Sequence, residues 1–332
     1  MPKKKWLILG RKILVSGGLI WFALSRVDFA EAMGRIRQAD PLLLVIAVGV
    51  IGLQAFIGGW RWRSVSMAIG QPLRYFSALR FFYIGMFFNQ ALPGGTGGDP
   101  VRGYLAYKAG LGLRGAINGV MLERMVTVVA LVVLVDVTQV SFLPKLDEVT
   151  RHIFLLSVVL VSVGAVVGLF VIIMLERLPD RLRHWKIVRG LSYLGNDARA
   201  VFLNPKNLAK ALSNGLITHL NISLYVFVLS RAVQMDVSWL DCLVLVPPVL
   251  LITTIPISVG GWGVRENAMI VAFGLIGVPE ASALALSVLF GLLGLAVSLP
   301  GGLVWFYGRE HQQGLTLDTV EEEMAASAAR DD

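Results

Sequence analysis

Pro93-Gly94-Gly95-Thr96-Gly97-Gly98-Asp99-Pro100-Val101-Arg102 has a gap-free counterpart in Pro256-Ile257-Ser258-Val259-Gly260-Gly261-Trp262-Gly263-Val264-Arg265. Both read P-x-x-x-G-G-x-x-V-R at an offset of 163 residues, close to half of the 332-residue chain. Ala68-Ile69 and Ala232-Val233 match weakly at nearly the same offset. Each motif follows an apolar segment, Tyr75–Leu92 or Leu240–Ile255, that falls short of the roughly 20 residues a straight crossing needs. After the second motif only Ala268–Val278 remains apolar before Pro279. Glycine allows tight turns and positive φ, while proline ends one arm and starts the next. Each motif therefore reads as the tip of a hairpin that enters the membrane and returns to its own side.

The rest of the chain supplies the membrane context. Of its residues 56% are apolar and 16% charged, against about 25% charged in a soluble domain. Full crossings are expected at about 6–25, 41–60, 116–139, 153–175, 212–230 and 281–307. The first has Lys3, Lys4 and Lys5 ahead of it like a signal sequence, but no small-residue cleavage site ends it, so it reads as a retained span. The expected fold is an all-α integral membrane protein with six transmembrane helices and two re-entrant hairpins. Three crossings separate the hairpins, so they enter from opposite faces as an inverted repeat, the pattern that marks a transporter site. The halves run over about 41–175 and 212–307 within one membrane domain, 1–310, and 311–332 reads as a disordered tail. On this topology the cytoplasmic segments hold 21 Lys and Arg and the exterior seven, which places both termini in the cytoplasm of a bacterial inner membrane. The basic connector 176–211 reads as an amphipathic helix on the anionic inner leaflet.

Several chemistries find no support. Cys242 is the single cysteine, and His152, His184, His219 and His311 show no metal-ligand spacing, so no metal or cofactor is expected. Gly94-Gly95-Thr96-Gly97-Gly98 lacks the Gly-Lys-Ser/Thr of a nucleotide loop. The net charge of +8 resides in loops between apolar spans, which points to membrane lipid rather than nucleic acid.

Irregular backbone at membrane depth needs a protein-lined or watery cavity, because each unpaired N–H or C=O facing lipid costs several kcal/mol. The returning helices begin near Asp99 and Gly263, where free N–H groups and the helix dipole favour an anion. Arg102 and Arg265 sit at equivalent positions and carry the bidentate fork that suits phosphate. Each has two readings: contact with a lipid phosphate, or an internal pair with Asp99 and Glu266 respectively. Asn89 and Gln90, which can bond a head group or the hairpin backbone, complete the candidate substrate-binding set with Gly97, Gly98, Gly260 and Gly261. Glu123 and Arg124 lie roughly two turns inside a crossing, where charge is expensive, and are expected to form ion pairs with Arg102 or Arg80, with direct ligand contact as the alternative. With Asp99 and Glu266 they are the candidate gating or ion-pair residues. His219 and Asn221 read as interhelical hydrogen-bonding groups, Asp136 as structural, and Trp21, Trp60, Trp62, Trp239 and Trp305 as interfacial anchors.

Asn89-Gln90-Ala91-Leu92-Pro93-Gly94, Gly97-Gly98-Asp99, Arg102, Glu123-Arg124, Pro256-Ile257-Ser258, Gly260-Gly261 and Gly263-Val264-Arg265-Glu266 occur in that order. The ordered set resembles the flippase-like transmembrane family named after the membrane domain of lysylphosphatidylglycerol synthase. The resemblance implies a module that moves lipid between leaflets. The cytosolic aminoacyl-transfer domain that follows the membrane part of the full synthase has no counterpart before Asp332, so translocation without catalysis is expected. The partners expected are anionic membrane lipids, with a second copy or a lipid-pathway enzyme as further partners. Two rival readings are a non-transporting subunit that supplies lipid to a glycosyltransferase or hopanoid-pathway enzyme, and a lipid-modifying enzyme built on Glu123 or Glu266.

Overall fold

The computed structural model describes residues 17–18, 21–22, 27–91, 97–177, 186–253, 258 and 261–308. Among the described residues from Phe29 onward eleven α-helices follow one another: α1 (Phe29–Arg37), α2 (Pro41–Ala68), α3 (Tyr75–Ala91), α4 (Gly98–Lys108), α5 (Leu113–Phe142), α6 (Glu148–Met174), α7 (Lys186–Phe202), α8 (Pro205–Ala232), α9 (Trp239–Thr253), α10 (Val264–Gly274) and α11 (Glu280–Phe306). Among the described residues five stretches, Pro41–Ala68, Leu113–Lys145, Glu148–Met174, Pro205–Ala232 and Glu280–Phe306, are long and apolar enough to cross a membrane. The expected crossing at 6–25 and the tail 311–332 fall almost wholly outside the described residues, as does Gly260.

Backbone features recur at nearly the offset of the two motifs. Helices α2 and α8 each have 28 residues and begin on an Asx-Pro step. Asp40 caps α2 by accepting the N–H groups of Leu42 and Leu43; Asn204 caps α8 through Lys206 and Asn207. They also end alike, with Gln71 N–H bonded to Ser66 O and Met235 N–H to Ser230 O. The left-handed turn residue is Gly70 in one half (φ 72°) and Gln234 in the other (φ 58°). Further on, Gly110 and Gly277 both take positive φ before α5 and α11. From Arg102 to Gly110 is eight residues and from Arg265 to Gly277 twelve, so the second half carries about one extra helical turn there.

The two halves grip each other through equivalent elements. Asp40 N–H donates to Ala232 O, Asn221 to Val50 O and to the Gln54 side chain, and Asn214 to Ser64. Partner numbers fall on α2 as they rise on α8, so these equivalent helices run antiparallel. Helix α3 packs across onto α11 of the other half, and α9 packs across onto α5. Between membrane helices association depends on close packing and hydrogen bonds rather than on water-driven burial. Small residues accordingly mark the crossings: a Cβ at Gly215 would meet Ala130 at 2.5 Å, and one at Gly98 would run into the Gly85 backbone, with the Gly85 Cα at 2.8 Å.

Several boundaries differ from expectation. The 41–60 span continues to Ala68, so Arg61 lies in the helix and is buried, not in a loop. Arg102 and Arg265, also counted with loops, are buried within α4 and α10. Trp62 is fully buried rather than interfacial. Within the connector, α7 is amphipathic as expected, but its apolar face docks onto the bundle through Leu194, Ala198, Val201 and Phe202 instead of resting on lipid alone. Asp197 on the same helix receives hydrogen bonds from Arg114 (2.7 Å) and Asn118 (2.6 Å) of α5.

The close α3–α4 crossing predicts that Gly98→Ala costs about 1–3 kcal/mol by overpacking. Gly49→Ala, with no atom within 4 Å of the added carbon, is expected to be neutral. Thermal unfolding of both variants in detergent checks this; equal melting temperatures would contradict the tight crossing.

Candidate functional site

Charged side chains inside an apolar bundle must find partners, because an uncompensated ion there costs several kcal/mol. Five of them close into one chain of ion pairs. Arg61 from α2 donates Nε to Glu123 Oε1 at 2.6 Å, and its Nη1 donates to Thr218 Oγ1 of α8. The other Glu123 oxygen accepts Arg102 Nη2 from α4. Arg102 Nε reaches Asp99 Oδ1 at 3.0 Å. Asp99 then takes a two-pronged contact from Arg124, Nε to Oδ2 at 2.8 Å and Nη2 to Oδ1 at 3.0 Å. Three guanidiniums thus share two carboxylates, leaving one positive charge over. Arg102 Nη1 is buried without a protein partner.

Aromatic faces support the same arginine. The Arg102 guanidinium lies 5.1 Å from the Trp62 ring and 5.3 Å from Phe82, a cation–π setting that holds it when desolvated. This explains why Trp62 is drawn inward. Arg265 is held similarly, 4.5 Å from Trp262 and 5.4 Å from Phe290. Its Nη2 donates to Glu266 Oε1 at 2.6 Å and its Nε to Ser287 Oγ at 3.1 Å. Both internal pairs read from the sequence, Arg102 with Asp99 and Arg265 with Glu266, are present.

The two helix starts are capped from within the protein. Gly98 N–H donates to the Asn89 side chain at 2.8 Å, and Gly263 N–H to Glu266 Oε2 at 2.5 Å. One N–H at each start is thus taken within the protein, by the Asn89 amide for α4 and by the Glu266 carboxylate for Gly263 ahead of α10. Positive charge at the site resides mainly in side chains.

A cavity of about 320 Å³ opens beside the network. Asn89, Gln90, Asp99, Arg102, Glu123, Arg124, Gly261 and Arg265 line it, together with Arg61, Gln54, Thr218 and His219. Gly97 and Gly98 stand at the start of α4, with Gly98 closed onto Gly85, and Glu266 stands behind Arg265. His219 meets the Thr127 carbonyl at 2.9 Å through Nε2, so that nitrogen carries the proton, and Nδ1 is left without a protein partner. Both halves of the repeat contribute walls.

Sequence reasoning missed Arg61 and Thr218. The signal for Arg61 was available: Gln54, Gly58, Arg61 and Val65 follow helical spacing, and apolar residues continue past Arg63 to Ile69. Thr218 carries no comparable mark. His219 and Asn221 do bond between helices, and Asp136 accepts a hydrogen bond from Ser162 on α6 at 2.9 Å. No group of His, Cys, Asp and Glu able to hold a metal occurs among the described residues.

Residues 11–302 match the family described as the lysylphosphatidylglycerol synthase TM region. The chain belongs to this family. A search of curated proteins returns no match. With its apolar helices, membership of the lysylphosphatidylglycerol synthase TM family makes this a multi-pass membrane protein.

The shared carboxylate predicts a steep ranking of substitutions. Glu123→Gln strips Arg61 and Arg102 of their common counter-ion and is expected to cost about 3–5 kcal/mol. Arg124→Gln, at a side chain 41% exposed, is expected to cost about 1 kcal/mol or less. Denaturation of the purified variants in detergent checks the order.

Proposed function

We propose that the protein translocates an anionic lipid, a phospholipid or a polyprenyl-phosphate-linked lipid, between the leaflets of a bacterial inner membrane, with both termini cytoplasmic. The observation that carries this reading is the excess guanidinium charge at a cavity built by both halves, with one buried Arg102 donor unspent. A phosphodiester supplies the single negative charge and the acceptor oxygens that this arrangement lacks. Arg102, Arg265 and Arg61 bind phosphate, Asn89 and Gln90 face the head group, and Asp99, Glu123, Arg124 and Glu266 hold the arginines in register. The hydrocarbon chains stay in the bilayer.

On this reading α3–α4 and α9–α10 are re-entrant hairpins. Helices α4, α9 and α10 have 11, 15 and 11 residues, and at about 1.5 Å per residue none reaches across a hydrocarbon core of about 30 Å. The spanning helices α5, α6 and α8 separate the two pairs, an odd number, so the pairs face opposite sides. The antiparallel packing of α2 on α8 supports the same inverted repeat.

The mechanism is non-covalent. Both acidic candidates for catalysis are committed, Glu123 to Arg61 and Arg102, and Glu266 to Arg265, Ser287 and Gly263, which supports binding over general acid–base chemistry.

Liposomes of anionic phospholipid containing the purified protein and a trace of head-group-labelled lipid test the proposal. Leaflet exchange, read by quenching of outer label, is expected to rise at least tenfold over empty vesicles and to fall at least tenfold with Arg102→Gln. Lipid binding without exchange, across phospholipid and polyprenyl-phosphate probes, would instead assign the protein as a subunit that delivers lipid to a partner enzyme.

A further inference from the structure

Beside the polar cavity the helices leave a larger groove of about 610 Å³, walled by α5, α6, α9 and α10. Its volume falls within the roughly 300–1,000 Å³ that small ligands fill. The lining is mainly aliphatic, with Phe154 and the polar Ser157, Ser162 and Asn267 among it, and its one charged residue among the described residues is an acid, Asp136, held by Ser162. Helix α6 forms the outer wall. It packs on α5 and α7 with Ile173 its one buried residue; Phe154, Val158 and Ala165 lean on the bundle, while Leu156, Leu160, Val166 and Phe170 are exposed on its outer side. Leu131 of α5 and Leu251 of α9 line both the groove and the polar cavity, so the two spaces meet across this leucine pair.

We infer that the groove holds a hydrocarbon chain of the lipid whose head group occupies the polar cavity, with Leu131 and Leu251 at the junction of head and chain. The inference rests on the lipid reading above and adds to it the path of the chain. Charge sets the polarity of the combined site: the cavity carries surplus guanidinium, whereas the groove carries a carboxylate that repels an anionic head. An amphiphile with an anionic end and an aliphatic end matches this order. An aliphatic groove facing the bilayer takes hydrocarbon rather than water, since it offers few hydrogen-bonding partners.

The test uses the full-length protein in nanodiscs with phosphatidylglycerol carrying a diazirine in mid-chain. After irradiation, peptide mass spectrometry is expected to find adducts on groove residues of α5, α6, α9 and α10 at least fivefold above those on the exposed α2 residues Leu42 and Val45. Ala268→Phe, which fills the groove, is expected to cut groove labelling at least fivefold. Even labelling of the outer surface, or groove labelling indifferent to that substitution, overturns the inference; should the variant misfold, the wild-type adduct map decides alone. Copurified anionic lipid that depends on Arg102, together with even labelling, would overturn the groove and leave the cavity standing. Groove labelling with no Arg102 dependence of lipid binding would overturn the cavity and leave the groove.

Discussion

Glu123 is the point on which the structure turns. Its two oxygens are divided between guanidiniums from α2 and α4, while its own helix α5 supports α9 from the opposite half. In a bundle surrounded by hydrocarbon, ions are admitted only when partnered, and in this set a single carboxylate serves two arginines while one positive charge is left to face the cavity. Every element that shapes the cavity is tied to that set directly or through one neighbour.

The two glycine motifs match in sequence, but their surroundings differ in chemistry. At the α5–α11 offset, set by Gly110 and Gly277, Glu123-Arg124 falls opposite Phe290-Gly291. The second half thus replaces an acid with an aromatic ring beneath Arg265, and an arginine with the glycine whose missing side chain makes room for that guanidinium. Its acid comes from the next residue, Glu266. Charge is concentrated in the first half and packing in the second, so the site has a strong and a weak side despite its related walls.

Much of this was legible in the sequence. The glycine-tipped motifs located α4 and α10, and five of the expected crossings coincide with long apolar helices. The expense of charge in a crossing singled out Glu123 and Arg124 correctly as network members. What failed was the assumption that an arginine at the end of an apolar run lies in a loop. Arg61 sits beside two tryptophans, Trp60 and Trp62, which read as a membrane boundary, yet burial of Trp62 beneath Arg102 belongs to tertiary structure and has no local trace. The bond of Gly98 to Asn89 settles between two readings open for that side chain, head group or hairpin backbone, whereas the capping of Gly263 by Glu266 was hidden, since a side chain's choice between ligand and backbone depends on how the chain turns.

The antiparallel seam between α2 and α8 has a mechanical consequence. Two greasy rods could slide past one another at little cost, but these are stitched by Asn214 to Ser64, Arg61 to Thr218 and Asn221 to Gln54. Longitudinal shear would sever all three stitches together where water is scarce to replace them. The seam therefore behaves as a fixed spine, and any flexing of the bundle falls to the shorter helices arranged on either side.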